Sequence, residues 1–186
     1  MNDVNELNQP PRHWYVAVVN HNSERKTADR LSGDDCECYV ASQSEVRVSA
    51  AGRRRTVERV VIPALLFIRC SEHTRLRVVN TPYIYRFLTN RAGAPNPYGK
   101  PVAIIPDDQM QQLQFMLGHS ERPVEMVERS YAKGERVEVV RGPLRGLQGV
   151  AATDTDGHAY IYVDFDLLGA ARTKIPLTDI QPARSN

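Results

Sequence analysis

Short apolar runs rich in β-branched and aromatic residues recur along the chain, and the stretches between them carry helical spacing only in places. HWYVAVVN (13–20) reads as a central strand, with Trp14 assigned to the core. NSERKTADRLSG (22–33) follows as a short surface helix, in which Asn22 or Ser23 is the N-cap, Ala28 and Leu31 face inward and Gly33 is the stop. CECYVASQSEVRV (36–48) alternates enough for a strand, SAAGRRR (49–55) is a basic turn, and TVERVVIPALLFIRC (56–70) is the strongest strand signal of this half. Pro63 interrupts that run. Proline donates no ladder hydrogen bond, so an edge, a bulge or a break is expected there. SEHTRLRVVN (71–80) fits a helix capped by Ser71 with Leu76 and Val79 inward, YIYRFL (83–88) fits another strand, and RAGAPNPYGKP (91–101) is a loop. PDDQMQQLQFML (106–117) opens on a proline and two acids, where the helix dipole favours them, and carries a stripe of Met110, Leu113 and Leu117. Strands and helices interleave, which predicts an α+β domain over residues 12–118, a mainly antiparallel sheet flanked by helices.

Residues 1–11 read as a flexible leader and residues 119–130 as a linker, since neither shows periodicity. From 131 to 184 the pattern is all β: RVEVV, LQGVAAT, AYIYVDF, ARTKIPL and a short DIQPA, with DTDG as a turn around Asp154 and Asp156. Five short strands joined by tight turns predict a small five-stranded barrel that closes its own edges. VEVVRGPLRGLQGV (137–150) fits its corner: Gly142 permits a positive φ, Pro143 fixes the next one, and Gly146 and Gly149 let backbones approach.

Composition narrows the class. The 186 residues are 41% hydrophobic and 25% charged, as in an ordinary globular protein. Between Arg12 and Gly118 there are 15 Lys and Arg against 10 Asp and Glu; from Tyr131 to Asn186 the count is 7 against 7. A mildly basic first half suits a polyanion, whereas the second half is neutral. No apolar run reaches bilayer length and the polar start has no secretory character, so a cytoplasmic protein with no membrane contact is expected. Three cysteines fit free thiols in a reducing compartment.

No catalytic constellation emerges, so no enzyme and no cofactor are expected. Cys36-x-Cys38 lacks a second pair at zinc spacing. His13, His21, His73, His119 and His158 are scattered, RAGAPNPYGK lacks phosphate-loop spacing, and Asp107-Asp108 is explained as helix-start chemistry.

KGERVEVVRGPLRGLQGV resembles the KOW motif of small SH3-like barrels. HWYVAVVNHNSERKTADRL resembles the opening strand and helix of the NusG N-terminal (NGN) domain, RRRTVERVVIPALLFIRC its central segment, and DFDLLGAARTKIPLTDIQ the family's barrel ending. The three occur in order over residues 13–182, and the chain is identified by resemblance as a NusG-family transcription elongation or antitermination factor. Within the family it is most similar to the UpxY-type paralogs of capsular polysaccharide operons in Bacteroides-like bacteria. The cues are the compact SGDDCECYVASQSEV and the Ile62, Ala64 and Leu65 that flank Pro63, where the housekeeping factor usually has aromatics and glycine.

The resemblance implies a polymerase-bound regulator, expected to be monomeric, that promotes processive elongation of specific long operons. It implies that Tyr15, Val18, Ile62, Leu65, Phe67 and Met110 meet the clamp region of RNA polymerase, although strand alternation leaves a core role open for Tyr15, Leu65 and Phe67. Specialised paralogs also touch the non-template DNA strand, which points to Asn20, His21, Asn22 and Arg25 with Arg12 nearby; a solvated helix face is the other reading. The resemblance also implies nascent RNA as an alternative nucleic-acid partner. Arg53-Arg54-Arg55 is read as a solubilising hairpin tip or a loose phosphate contact. His73-Thr74 stands near the family's polymerase-gripping His-Thr-Thr element but out of register, and that role is not carried over. Leu167, Leu168 and Gly169 match the apolar loop through which the barrel recruits a second partner, such as a ribosomal protein; plugging the barrel end is the alternative. Two other functions fit the resemblance: a ribosome-associated KOW protein binding rRNA, which a neutral barrel disfavours, and a housekeeping NusG.

Overall fold

A computed structural model describes residues 10–33, 35–90, 99–128 and 134–183. The chain divides into two compact units, Met1–Val40 with Pro63–Asp107 and Ala41–Ile62 with Asp108–Asn186. The expected leader through residue 9, and residues 91–98 of the expected loop, lie outside the described residues.

The first unit is built on β1 (Arg12–Val19), apolar on both faces and so suited to the middle of a sheet. It pairs antiparallel with β5 (Leu65–Ser71), beyond which lies β2 (Glu37–Tyr39); β6 (Ile84–Phe87) and β7 (Ile104–Ile105) share its other edge. One face carries Tyr15, Ala17 and Val19 beside Leu66, Ile68 and Cys70, packed with Leu31 of α1 (Glu24–Leu31) and Val78 of α2 (Glu72–Val78). Trp14, Val16 and Phe67 on the opposite face are also buried.

The helix caps fall where expected, but the inward face of α2 differs in part. Ser71 caps α2, its hydroxyl accepting the Thr74 N–H at 3.2 Å. The buried residues are Thr74, Arg75 and Val78; Val79 packs partly buried against the core as expected, whereas Leu76 is 52% exposed. Leu76 is two positions from Val78, about 200° around the helix, so both cannot face the sheet. Ser23 is the N-cap of α1 without a side-chain bond, and Asn22 before it takes a left-handed φ of 63°.

In the second unit, β3 (Ser42–Val48) and β4 (Arg54–Val60) form a two-stranded ribbon of their own. The expected strands 36–48 and 56–70 are therefore each cut in two. Their halves join different sheets, and at Pro63 the chain turns through Ala64 at φ 61° rather than bulging. The helix α3 (Asp107–His119) buries Met110, Leu113, Met116 and Leu117.

The remaining strands are β8 (Glu125–Val127), β9 (Glu135–Val139), β10 (Gln148–Thr153), β11 (Ala159–Phe165), β12 (Gly169–Lys174) and β13 (Ile180–Pro182). They make a six-stranded antiparallel sheet in the order β13-β9-β10-β11-β12-β8. The β8 strand arises inside the stretch expected to be a linker, because Met126 and Val127 pair with Ala171 and Ala170. The pairing path is open: β13 and β8 end it, and no ladder joins them among the described residues. Gly149 sits where the strands crowd, since a Cβ there would lie 2.4 Å from the Tyr162 carbonyl oxygen. Gly142 has the expected positive φ, 77°.

Candidate interaction surfaces

The turn after β1 is fixed by one buried acid. Glu24, 3% exposed, accepts the Ala64 N–H at 2.7 Å and the Asn22 N–H at 3.3 Å through its Oε1. The Val19 N–H donates to the Ala64 carbonyl at 3.0 Å, so both polar groups of this left-handed alanine are held. Burial pushes the Glu24 carboxyl up, but the backbone N–H donors of Ala64, Glu24 and Asn22 outweigh it and hold it below its ordinary range. The residues of β1's end and β5's start are thus locked together.

Of the residues assigned to polymerase by resemblance, four prove to be interior. Phe67 is fully buried, its ring 6.1 Å from that of Tyr39; Ile62 and Met110 are also core. Tyr15 is 2% exposed and donates its hydroxyl to Glu72 Oε2 at 3.2 Å. Burial first, then the Glu72 carboxylate, pushes this phenol up to about 12. The Arg75 guanidinium holds Glu72 through two bonds of 2.7 and 2.5 Å and stacks over the Tyr15 and Phe87 rings at 5.6 and 5.5 Å. That network fastens α2 to the sheet and leaves Tyr15 no free face.

Val18 and Leu65 differ. They stand directly opposite each other on neighbouring strands, both half-buried, at the end of the sheet beside the Glu24 turn. Exposed Arg86 of β6 stands opposite Val18 on the other side. Asn20, His21, Asn22 and Arg25 are all exposed around the same end, and Tyr85, 63% exposed, donates its hydroxyl to Asn20 Oδ1. The structure therefore gathers an apolar pair, two cations, an aromatic ring and three hydrogen-bonding side chains. Tyr85 and Arg86 were missed in the sequence. YIYRFL signals a strand, but nothing in it says that this strand lies against β1.

Arg12 is not part of this group. It begins β1 and Asn20 follows its end, about 26 Å away at strand rise. Its guanidinium instead donates to the carbonyls of Arg69 at 3.0 Å and Asp35 at 3.3 Å.

Leu167 and Leu168 occupy the turn between β11 and β12, both half-buried, and Gly169 opens β12 at φ 93°. A Cβ at Gly169 would meet the Val127 carbonyl oxygen at 2.5 Å, so only glycine lets β8 approach. Asp166 is tied to α3: its Oδ2 accepts from Gln109 Nε2 at 3.0 Å and its N–H donates to Gln109 Oε1 at 3.3 Å. Asp154 and Asp156 are turn residues that also anchor β12, binding Arg172 and Lys174 respectively. The His158 N–H, foremost, holds the Asp156 carboxyl down at about 2.

All three cysteines are free thiols. The Cys70 thiol is pushed up, first by its hydrogen bond with Cys36 and then by burial. Among the described residues no group of three or more His, Cys, Asp or Glu side chains could hold a metal ion. No described helix is long and apolar enough to cross a membrane.

A family model described as "Transcription termination factor nusG" matches residues 12–114, more than half of the chain. No curated protein matches. Among solved structures, the chain is similar to Thermotoga maritima NusG, from a study of its domain interaction, at 14% identity and a TM-score of 0.48, over 93% of this chain and 98% of that one. It is also similar to a chain of the MjSpt4:Spt5 complex in conformation B, at 10% identity and a TM-score of 0.31, over 92% and 97% of the two chains. With β1, α1, the Glu24 turn, β5 and most of α3 inside the matched span, the chain belongs to the NusG family of transcription factors.

Proposed function

We propose that this protein is a non-enzymatic elongation regulator that binds RNA polymerase at its clamp region through the Val18–Leu65 end of the first sheet. The observation that carries the reading is that pair: two aliphatic side chains left half-exposed where their strand neighbours Val16 and Phe67 are fully buried. Around it, Arg86 and Arg25 supply charge, and Asn20, His21, Asn22 and Tyr85 supply hydrogen bonds and a stacking surface for an unpaired DNA strand. Family membership supports a role in transcription elongation.

The finer reading is operon-specific antitermination by a monomer of the UpxY type, with residues 131–184 acting as a KOW module that takes a second partner at Leu167 and Leu168. It rests on Ile62, Ala64 and Leu65 around Pro63 and on the DLLG turn. The test is transcription in vitro on a long leader template by polymerase from a Bacteroides-like bacterium. Added protein is expected to raise readthrough on the leader of a capsular operon and to leave an unrelated leader unchanged. Equal effects on both would favour a general factor, and no effect on pausing or readthrough on either would remove the reading.

A further inference from the structure

The ribbon of β3 and β4 is absorbed by none of this. Every residue from 46 to 56 is exposed, so the outer part of the ribbon is covered on neither face. Val46 and Val48 are 63% and 62% exposed. At its root the ribbon is firmly held. The Gln43 amide donates to the Ser120 and Arg122 carbonyls at 2.9 and 2.8 Å and accepts the Val124 N–H at 2.9 Å. Arg59 donates to the Val124 carbonyl at 3.0 Å and to Glu45 at 3.1 Å. The ribbon is thus a fixed projection of seven-residue strands, about 23 Å long at strand rise.

Its charge is one-sided. Between Val46 and Thr56 stand Arg47, Arg53, Arg54 and Arg55 with no acid among them. Arg47 is directly opposite Arg55. Like charges directly across a strand pair destabilise it, and among the described residues Arg47 pairs only with Glu45, which Arg59 also shares. Arg53, Arg54 and Arg55 form no ion pair among the described residues. A repulsive arrangement on an unpacked element is compensated when a polyanion binds it.

We propose that the ribbon Ser42–Val60 is a duplex-DNA-binding element that grips phosphates through Arg47, Arg53, Arg54 and Arg55, without regard to sequence. Two features select the duplex. A two-stranded β-ribbon fits the major groove of B-DNA, whereas the major groove of A-form RNA is too narrow for side chains to enter. Residues 42–60 contain no Phe, Tyr, Trp or His, so the ribbon lacks the rings on which single-stranded bases stack. The polymerase reading is not needed for this inference, and the test contains no polymerase.

Fluorescence anisotropy with the full chain compares a mixed-sequence 20-base-pair DNA duplex with single-stranded DNA and duplex RNA of the same length, across a salt series. The duplex DNA should bind tightest. In Arg53→Gln/Arg54→Gln/Arg55→Gln, the slope of log affinity against log salt should become shallower by about 2.7, which corresponds to about 40-fold in affinity between 50 and 200 mM salt. Arg141→Gln/Arg145→Gln, outside the ribbon, should leave binding unchanged. Circular dichroism should match the parent and Tm should not fall, since all five positions are exposed. Unchanged affinity and salt slope in the triple variant would overturn the proposal, as would tighter binding of single strands or duplex RNA than of duplex DNA.

Discussion

The five-stranded sheet of the first unit and the ribbon of the second use similar strands to opposite ends. In the sheet, β1 and β5 bury Val16, Ala17, Leu66, Phe67 and Ile68 completely, and the main polar network at their edge, Tyr15–Glu72–Arg75, ties a helix down. In the ribbon, β3 and β4 expose valines and arginines alike, and Gln43 and Arg59 hold them at one end. Burial on two faces makes a strand a structural element. A two-stranded ribbon fixed at its root, with neither face buried beyond it, holds its shape for another purpose, because an isolated hairpin gains little stability from its own pairing.

The contrast breaks most visibly on truncation. Phe67→Ala should cost about 3–5 kcal/mol in denaturant unfolding, from lost burial and a cavity, while Val48→Ala should stay within about 0.5 kcal/mol. Comparable losses at both positions would mean that the ribbon is packed after all.

Glu24→Ala comes next, at about 2 kcal/mol, because the Ala64 and Asn22 amides lose their acceptor. Its pH signature has a definite sign. The carboxyl lies below its ordinary range in the folded state, so its contribution is complete above the unfolded value near 4.3 and is lost as pH falls through the folded value. The stability gap between the parent and Glu24→Gln should therefore narrow below about pH 4. A gap that widens on acidification would contradict the assignment.

Gln43→Ala should cost about 1–2 kcal/mol and act locally, since its amide serves three backbone groups. Hydrogen exchange should speed up in β3, β4 and residues 120–124 while β1 and β5 keep their protection. The smallest effect runs the other way. Arg55→Thr removes the repulsion with Arg47 and should stabilise the ribbon by about 0.2–1 kcal/mol, read as slower exchange there.

How much of this was legible depended on whether the signal was local. The strand character of 13–20 and 65–70, the Ser71 cap and the Met110–Leu113–Leu117 stripe follow from composition and period, and the structure has them. What could not be read was partnership. CECYVASQSEVRV looks continuous, yet Tyr39 pairs with Phe67 and Ser42 with Val60, in different sheets. Alternation puts Phe67 on the same face as Val18 and Leu65 and says nothing of where along the strand that face stays covered, so Tyr15 and Phe67 stood beside Val18 and Leu65 as equals until burial separated them. Tyr85 and Arg86 were invisible because their role comes from a neighbour 65 residues away, the separation of Asn20 and Tyr85. Arg12 failed for the reverse reason: it is close to Asn20 in sequence but at the other end of an extended strand.

The most direct test of the account is co-purification with RNA polymerase of the parent chain and of Leu65→Asp, with Tm measured on both. The account predicts that the variant keeps its Tm within a few degrees and loses at least 10-fold in polymerase affinity, because a carboxylate is desolvated at the centre of the contact. Undiminished polymerase capture by a folded Leu65→Asp would contradict it.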